Sequence, residues 1–176
     1  MLGSLDRRPT VASYAQAARE VRAMSSMLQT ASVSLLATFT IDSLVPYLEV
    51  EAARVGLAPD VYVGPFNAVQ QELLDPHSGC HRHSPDVVFV AQLLSEVCPP
   101  LVNDFLALEQ SRVEGHIDDV CSGLQAALTA FRRHSRAALV VHNFPLPRRP
   151  LLGICEATAE RSQTEVIRLL NPVSYT

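Results

Sequence analysis

Two residue types are missing from this 176-residue chain altogether: it has no tryptophan and no lysine. All 14 basic residues are arginine, which excludes a lysine Schiff base and a lysine-dependent phosphate loop. Cysteine is sparse. Cys80, Cys98, Cys121 and Cys155 stand far apart with no C-x-x-C pair, so they build neither a redox motif nor a disulfide framework and read as a reducing, cytoplasmic setting. Positive charge is in deficit, with a net charge of -4, which argues against a general nucleic-acid binder. No apolar run approaches the ~20 residues that span a bilayer. The first segment, with Arg7, Arg8, Arg19, Glu20 and Arg22, has no signal-peptide form.

What is present suits one globular domain. Hydrophobic residues make up 48% of the chain, enough for a real core over most of its length. The organising stretch runs from Val33 to Leu48. Val33, Leu35 and Leu36 are apolar with little alternation, as in a strand covered on both faces. Thr38, Thr40, Asp42 and Ser43 follow, and Asp and Ser are helix-capping types. Pro46 is tolerated in a first helical turn, and a helix continues to Gly56, a C′ residue. In open α/β sheets, sites form at the carboxyl ends of strands, so chemistry is expected at residues 38 to 43.

The flanking pattern repeats this alternation. Thr10 is placed to cap a helix with an apolar stripe at Val11, Tyr14, Ala18 and Val21. Gln29 to Ser32 reads as a polar connector, and residues 1–32 as a helical lead-in to a domain over 33–176. Further strands are expected at Asp60–Val63, Val87–Ala91 and Ala137–Val141. Helices are expected at Phe66–Leu74, from the Pro99-Pro100 break to about Arg133, and at Glu156–Leu170. Gly115 and Gly123 weaken the long one and allow a bend. Strands alternating with helices predict a three-layer α/β/α sandwich with a mostly parallel sheet. After the last helix a further strand is expected, and NPVSYT is too short to supply it. The domain therefore reads as C-terminally incomplete, a piece of a longer protein.

The runs FTIDSLVPYLEVEAARVG, VYVGPFNAVQQELLDPHSG, SPDVVFVA and VVHNFPLPRRPLLGICE resemble the N-terminal domain of FkbH-like proteins. The similarity spans roughly residues 10 to 170, and PFNAVQQELLDPHSG is its most specific piece. The resemblance implies an SGNH-hydrolase-like, flavodoxin-like fold that precedes a HAD-type phosphatase domain in complete relatives. Those enzymes move a glyceryl unit onto an acyl carrier protein for polyketide synthesis. The HAD chemistry needs D-x-D-x-[TV], which this chain lacks; Asp118 and Asp119 are adjacent rather than alternate. Working SGNH esterases carry a serine after strand one and a D-x-x-H late in the chain. Here the serine slot holds Phe39 or Thr40, and no D-x-x-H occurs. The D-S-L at Asp42–Leu44 reads as a helix cap, and a hydroxyl without a base is a poor nucleophile.

Other constellations have two readings each. His77, Cys80, His81 and His83 have zinc-ligand chemistry, but a single cluster does not close a structural site, and a solvated loop after a β-turn is favoured. Asn67, Gln70, Gln71 and Glu72 either pin their helix to the following loop or contact a ligand or neighbouring domain. His142-Asn143 ends the fourth strand, where the imidazole is a general base or a hydrogen-bonded structural group. Arg148-Arg149 is a solvated pair or a contact for an acidic carrier protein or a phosphopantetheine phosphate.

Two functions follow. The favoured one is a non-catalytic domain that positions an acyl carrier protein or an adjoining HAD-type domain, with Thr38, Asn67, Gln70, Asn143, Arg148 and Arg149 as binding residues. The alternative is an SGNH-type esterase or acyltransferase using Thr40 or Ser43 with His142. Neither reading calls for a cofactor or a metal.

Overall fold

A computed structural model of the chain describes residues 10–159 and 161–171. Four strands, β1 (Gln29–Ala37), β2 (Leu57–Val63), β3 (Val87–Ala91) and β4 (Ala138–Val141), form one sheet in the order β2-β1-β3-β4. Every pair is parallel, with Val33 opposite both Val61 and Val87 and Phe89 opposite Val140. The chain leaves β1 for one edge, then crosses back to build the other. The β1/β3 boundary is therefore the topological switch point of a flavodoxin-type order.

Strand alternation sorts β1 between two cores. Val33, Leu35 and Ala37 pack with Ile41, Val45 and Leu48, on the side of α1 (Val11–Ala23) and α2 (Val45–Arg54). Those two helices meet through Ala17, Ala18 and Val50. Leu36 faces the opposite way, with Val88 and Val90, toward Val69, Leu73, Cys80 and Phe131. These belong to α3 (Val69–Leu74), α4 (Gly79–His83) and α7 (Gln110–Arg132). The expected three-layer α/β/α arrangement is thus present, with both faces of a parallel sheet covered. A third core joins α5 (Leu94–Val97), α6 (Pro100–Asn103) and the first half of α7 to α8 (Gln163–Leu170).

Several boundaries differ from expectation. Gln29 to Ser32 is strand rather than connector, since the backbone pairs with Leu57–Asp60 although Gln29 and Thr30 are exposed. β2 begins before Pro59, which an edge strand tolerates because its missing N–H costs no ladder bond on the open side. The expected helix at Phe66 starts only at Val69, because Asn67 takes a left-handed backbone (φ 56°). Asp42 and Ser43 lie inside a 3-10 turn that runs into α2, and neither side chain caps it. The His/Cys loop is not simply solvated. Residues 79–83 form α4, whose Ser78 hydroxyl accepts the His81 N–H at 3.2 Å, and Cys80 is fully buried.

The long helix α7 is continuous through Gly115 and Gly123, and Leu106 lies outside it, exposed. The final helix is split into a 3-10 segment over Gly153–Thr158 and then α8. Ser162 caps α8 by accepting the Glu165 N–H, and Glu156 accepts the Thr164 N–H, so local side-chain bonds favour a turn there. Of the NPVSYT segment, residues 172–176 lie outside the described residues.

A candidate ligand crevice at the switch point

β1 ends at Ala37 and β3 at Ala91, side by side. Thr38 fastens the two exits together. Its N–H donates to the Ala91 carbonyl at 3.1 Å, and its Oγ1 accepts the Leu93 N–H at 2.9 Å. The side chain is only 3% exposed. The turn after β2 is drawn onto the same place, with Gly64 N–H donating to Leu35 and Asn67 N–H donating to Ala37. Gly64 fits closely there, since an added Cβ would lie 2.6 Å from Leu36 Cδ2 and the buried leucine would have to shift.

A crevice opens beside this junction, between α3 and α7. It consists of two hollows of about 310 Å³ each, which share Val69, Gln70, Gln92 and Val97. One continues to Thr38, Asn67, Gln71 and Glu96. The other is walled by Leu73, Pro99, Pro100, Val120 and Leu124, with Cys98, His116 and Asp119 also lining it. Gln70 reaches across toward α7, its Nε2 lying 3.7 Å from where a Gly123 Cβ would stand. Among the described residues the carboxyl side chains of the lining are Glu96 and Asp119, and no arginine lines either hollow. Burial pushes the Cys98 thiol up, the Leu101 N–H pulls it back, and the Asp119 carboxylate raises it further. Cys98 is therefore held as a thiol, the opposite of an activated nucleophile.

The structure brings three sequence-predicted binding residues, Thr38, Asn67 and Gln70, to this one crevice. Thr40 and Ser43 are exposed on the path into α2. His142 is exposed at the end of β4, its N–H donating to Val90. β3 lies between β1 and β4, two inter-strand spacings or about 9.6 Å. Among the described residues no hydrogen bond links His142 to Thr40 or Ser43. Asn143 is half-buried beside Phe144, whose backbone N–H and carbonyl are both engaged by the Asn171 side chain. Arg148 and Arg149 are exposed in the proline-rich loop.

The four residues of the His/Cys cluster go separate ways. His81 stacks on Phe131 with ring centroids 4.6 Å apart, His83 Nε2 lies 3.1 Å from the Asp60 carbonyl, and His77 is exposed. Among the described residues no three His, Cys, Asp or Glu side chains are grouped to hold a metal. Gln92, Glu96 and His116 were not singled out from sequence, and Asp119 was weighed only with Asp118 against the HAD motif. Gln92 directly follows β3, and His116 lies beside the stripe of Val113 and Val120, and these positions were the available signals.

No family model and no curated protein matches the chain. Among solved structures it is similar to the N-terminal part of the protein BF1531 from Bacteroides fragilis, described as containing a phosphatase domain complexed with Mg. The identity is 14% and the TM-score 0.68, over 90% of this chain and 40% of that one. The chain thus spans well under half of that structure's length, and the likeness is one of fold: a parallel α/β sandwich.

Proposed function

We propose that this chain is a non-catalytic domain of an FkbH-like protein in polyketide extender-unit synthesis, where it positions an acyl carrier protein or a partner catalytic domain. One observation carries the reading. Among the described residues no hydrogen bond pairs His142 with Thr40 or Ser43, and β3 stands between their strand ends, so neither candidate hydroxyl is coupled to that imidazole; Thr38 Oγ1, beside them, is buried and accepts the Leu93 N–H. The fold likeness to a chain that includes a phosphatase domain supports the same context. The resembling motif PFNAVQQELLDPHSG is also consistent with an architectural role. Glu72 and Ser78 within it bond to neighbouring backbone, and Gly79 leaves room for Tyr62.

Arg148 and Arg149 supply the docking contact, as an exposed guanidinium pair suited to carboxylates or a phosphate. Titrating the chain with an acyl carrier protein tests this. Binding that weakens with salt and in Arg148→Glu is the expected outcome, and binding indifferent to both overturns it. A second reading, an SGNH-type esterase or acyltransferase, draws on the exposure of Thr40, Ser43 and His142 at the carboxyl ends of β1 and β4.

A further inference from the structure

We propose that the crevice between α3 and α7 is a binding site for a small, neutral, polyhydroxylated ligand of the polyol or monosaccharide type. The inference does not rest on the docking role of the arginine loop, which lies at a different part of the chain.

The starting point is Gln92. It is 8% exposed, it lines both hollows, and among the described residues its side-chain amide has no hydrogen-bond partner. Among the described residues the sealed side-chain atoms without a partner are Ser34 Oγ and Thr164 Oγ1, away from the crevice lining, while several buried polar side chains are committed. Thr38 accepts from Leu93, Glu72 from Cys80, and Gln163 donates to the Leu101 and Val102 carbonyls. A carboxamide brings two donors and an acceptor, and on Gln92 they are not sealed in the core but open to the two hollows that the residue lines. Gln92 also sits immediately after β3 at the switch point, the position where sheets of this order present groups to ligands.

The remaining lining sets the ligand's chemistry. Gln70, Gln71 and Asn67 add amides that both donate and accept, while Glu96 and Asp119 add acceptors for hydroxyl donors. Two carboxylates and no arginine disfavour a phosphate or carboxylate ligand. Among the described residues no Phe or Tyr lines either hollow, and the ring present is the His116 imidazole at one of them, so a flat aromatic ligand gains little stacking. Val69, Val97 and Val120 offer apolar contact to C–H faces. Hydroxyls that pair with amides and carboxylates, on a carbon frame resting against aliphatic side chains, satisfy all of these surfaces together.

The test follows side-chain amide resonances of the ¹⁵N-labelled full chain during separate titrations with sorbitol, D-glucose, myo-inositol, inorganic phosphate and ethylammonium. The expected result is a saturable shift of Gln92 and Gln70 with at least one polyol, weakened about tenfold in Gln92→Met, which keeps the volume but removes the partner. Asp119→Asn, at an exposed position that tolerates change, is expected to weaken the same titration and serves if Gln92→Met does not fold. Absence of a saturable shift with all three polyols, tighter binding of phosphate or ethylammonium, or polyol binding indifferent to both substitutions overturns the proposal.

Discussion

Glu72 on α3 accepts the backbone N–H of Cys80 on α4 at 2.7 Å, and the same oxygen lies 3.2 Å from the Tyr62 hydroxyl. A nearly buried carboxylate thus fixes the first turn of α4 and bridges it to β2. Removing it leaves a buried N–H without its charged acceptor, so Glu72→Ala is expected to cost about 1.5–3 kcal/mol. Glu72→Gln keeps an acceptor and is expected to cost less. Urea unfolding of the three proteins, compared at equal slope, checks the order.

Two glycines are expected to respond to the same substitution with opposite sign. A Cβ on Gly79 would stand 2.0 Å from the Tyr62 hydroxyl oxygen, whereas one on Gly115 meets nothing within 4 Å. Gly79→Ala overpacks the α4–β2 contact and is expected to lose about 1–3 kcal/mol. Gly115→Ala, inside α7, is expected to gain about 0.5–1 kcal/mol from helix propensity. Thermal and urea midpoints of both variants decide the matter.

Arg22 grips Glu49 with two parallel bonds, Nε to Oε1 and Nη2 to Oε2, both 2.8 Å. The glutamate side chain is 11% exposed and the arginine 57%, so solvent screening keeps the contribution small. A double-mutant cycle of Arg22→Ala with Glu49→Ala is expected to give a coupling of about 0.5–1 kcal/mol that falls with salt. Arg22→Lys is expected not to restore it, because an ammonium cannot make the fork.

Alkali is expected to destabilise the domain through buried acids. Burial, reinforced by the Glu72 carboxylate, holds the Tyr62 phenol above its ordinary 10.0, and burial holds the Cys80 thiol above 9.0. The folded chain then keeps these protons better than the unfolded one. Their contribution is complete below the unfolded values and is lost as pH rises through the folded ones. The urea midpoint is expected to decline from about pH 9 upward, and less steeply beyond pH 10 in Tyr62→Phe. Glu156 has the opposite sign. Hydrogen bonds from Thr164 hold its carboxyl below 4.5, so its contribution is present above that value and lost as pH falls through the folded one. Glu156→Gln is expected to flatten part of the acid limb.

The sheet was legible in the sequence because its strands carry their own signal. The apolar runs at Val33–Ala37 and Val87–Ala91 allow little else, and Gly56 closes α2 with a φ of 86°. What stayed hidden depends on partners distant in sequence. The polar start of β1 at Gln29 is strand only because Leu57 lies opposite. The helix α4 forms in a Pro/Gly-rich segment because Glu72 and Ser78 satisfy its first amides. The crevice shows the same division. Thr38 follows from the rule that sites lie at strand ends, and Asn67 and Gln70 from the polar face of the expected Phe66–Leu74 helix. His116 and Asp119 belong to it only through the way α7 is seated over α3, which no local pattern reveals.

Intact-mass analysis after incubation with a fluorophosphonate, alongside hydrolysis of short p-nitrophenyl esters, tests the non-catalytic reading most directly. The expected result is an unmodified chain and no turnover. One adduct per chain that disappears in Ser43→Ala or Thr40→Ala, with ester hydrolysis lost in His142→Ala, would contradict it.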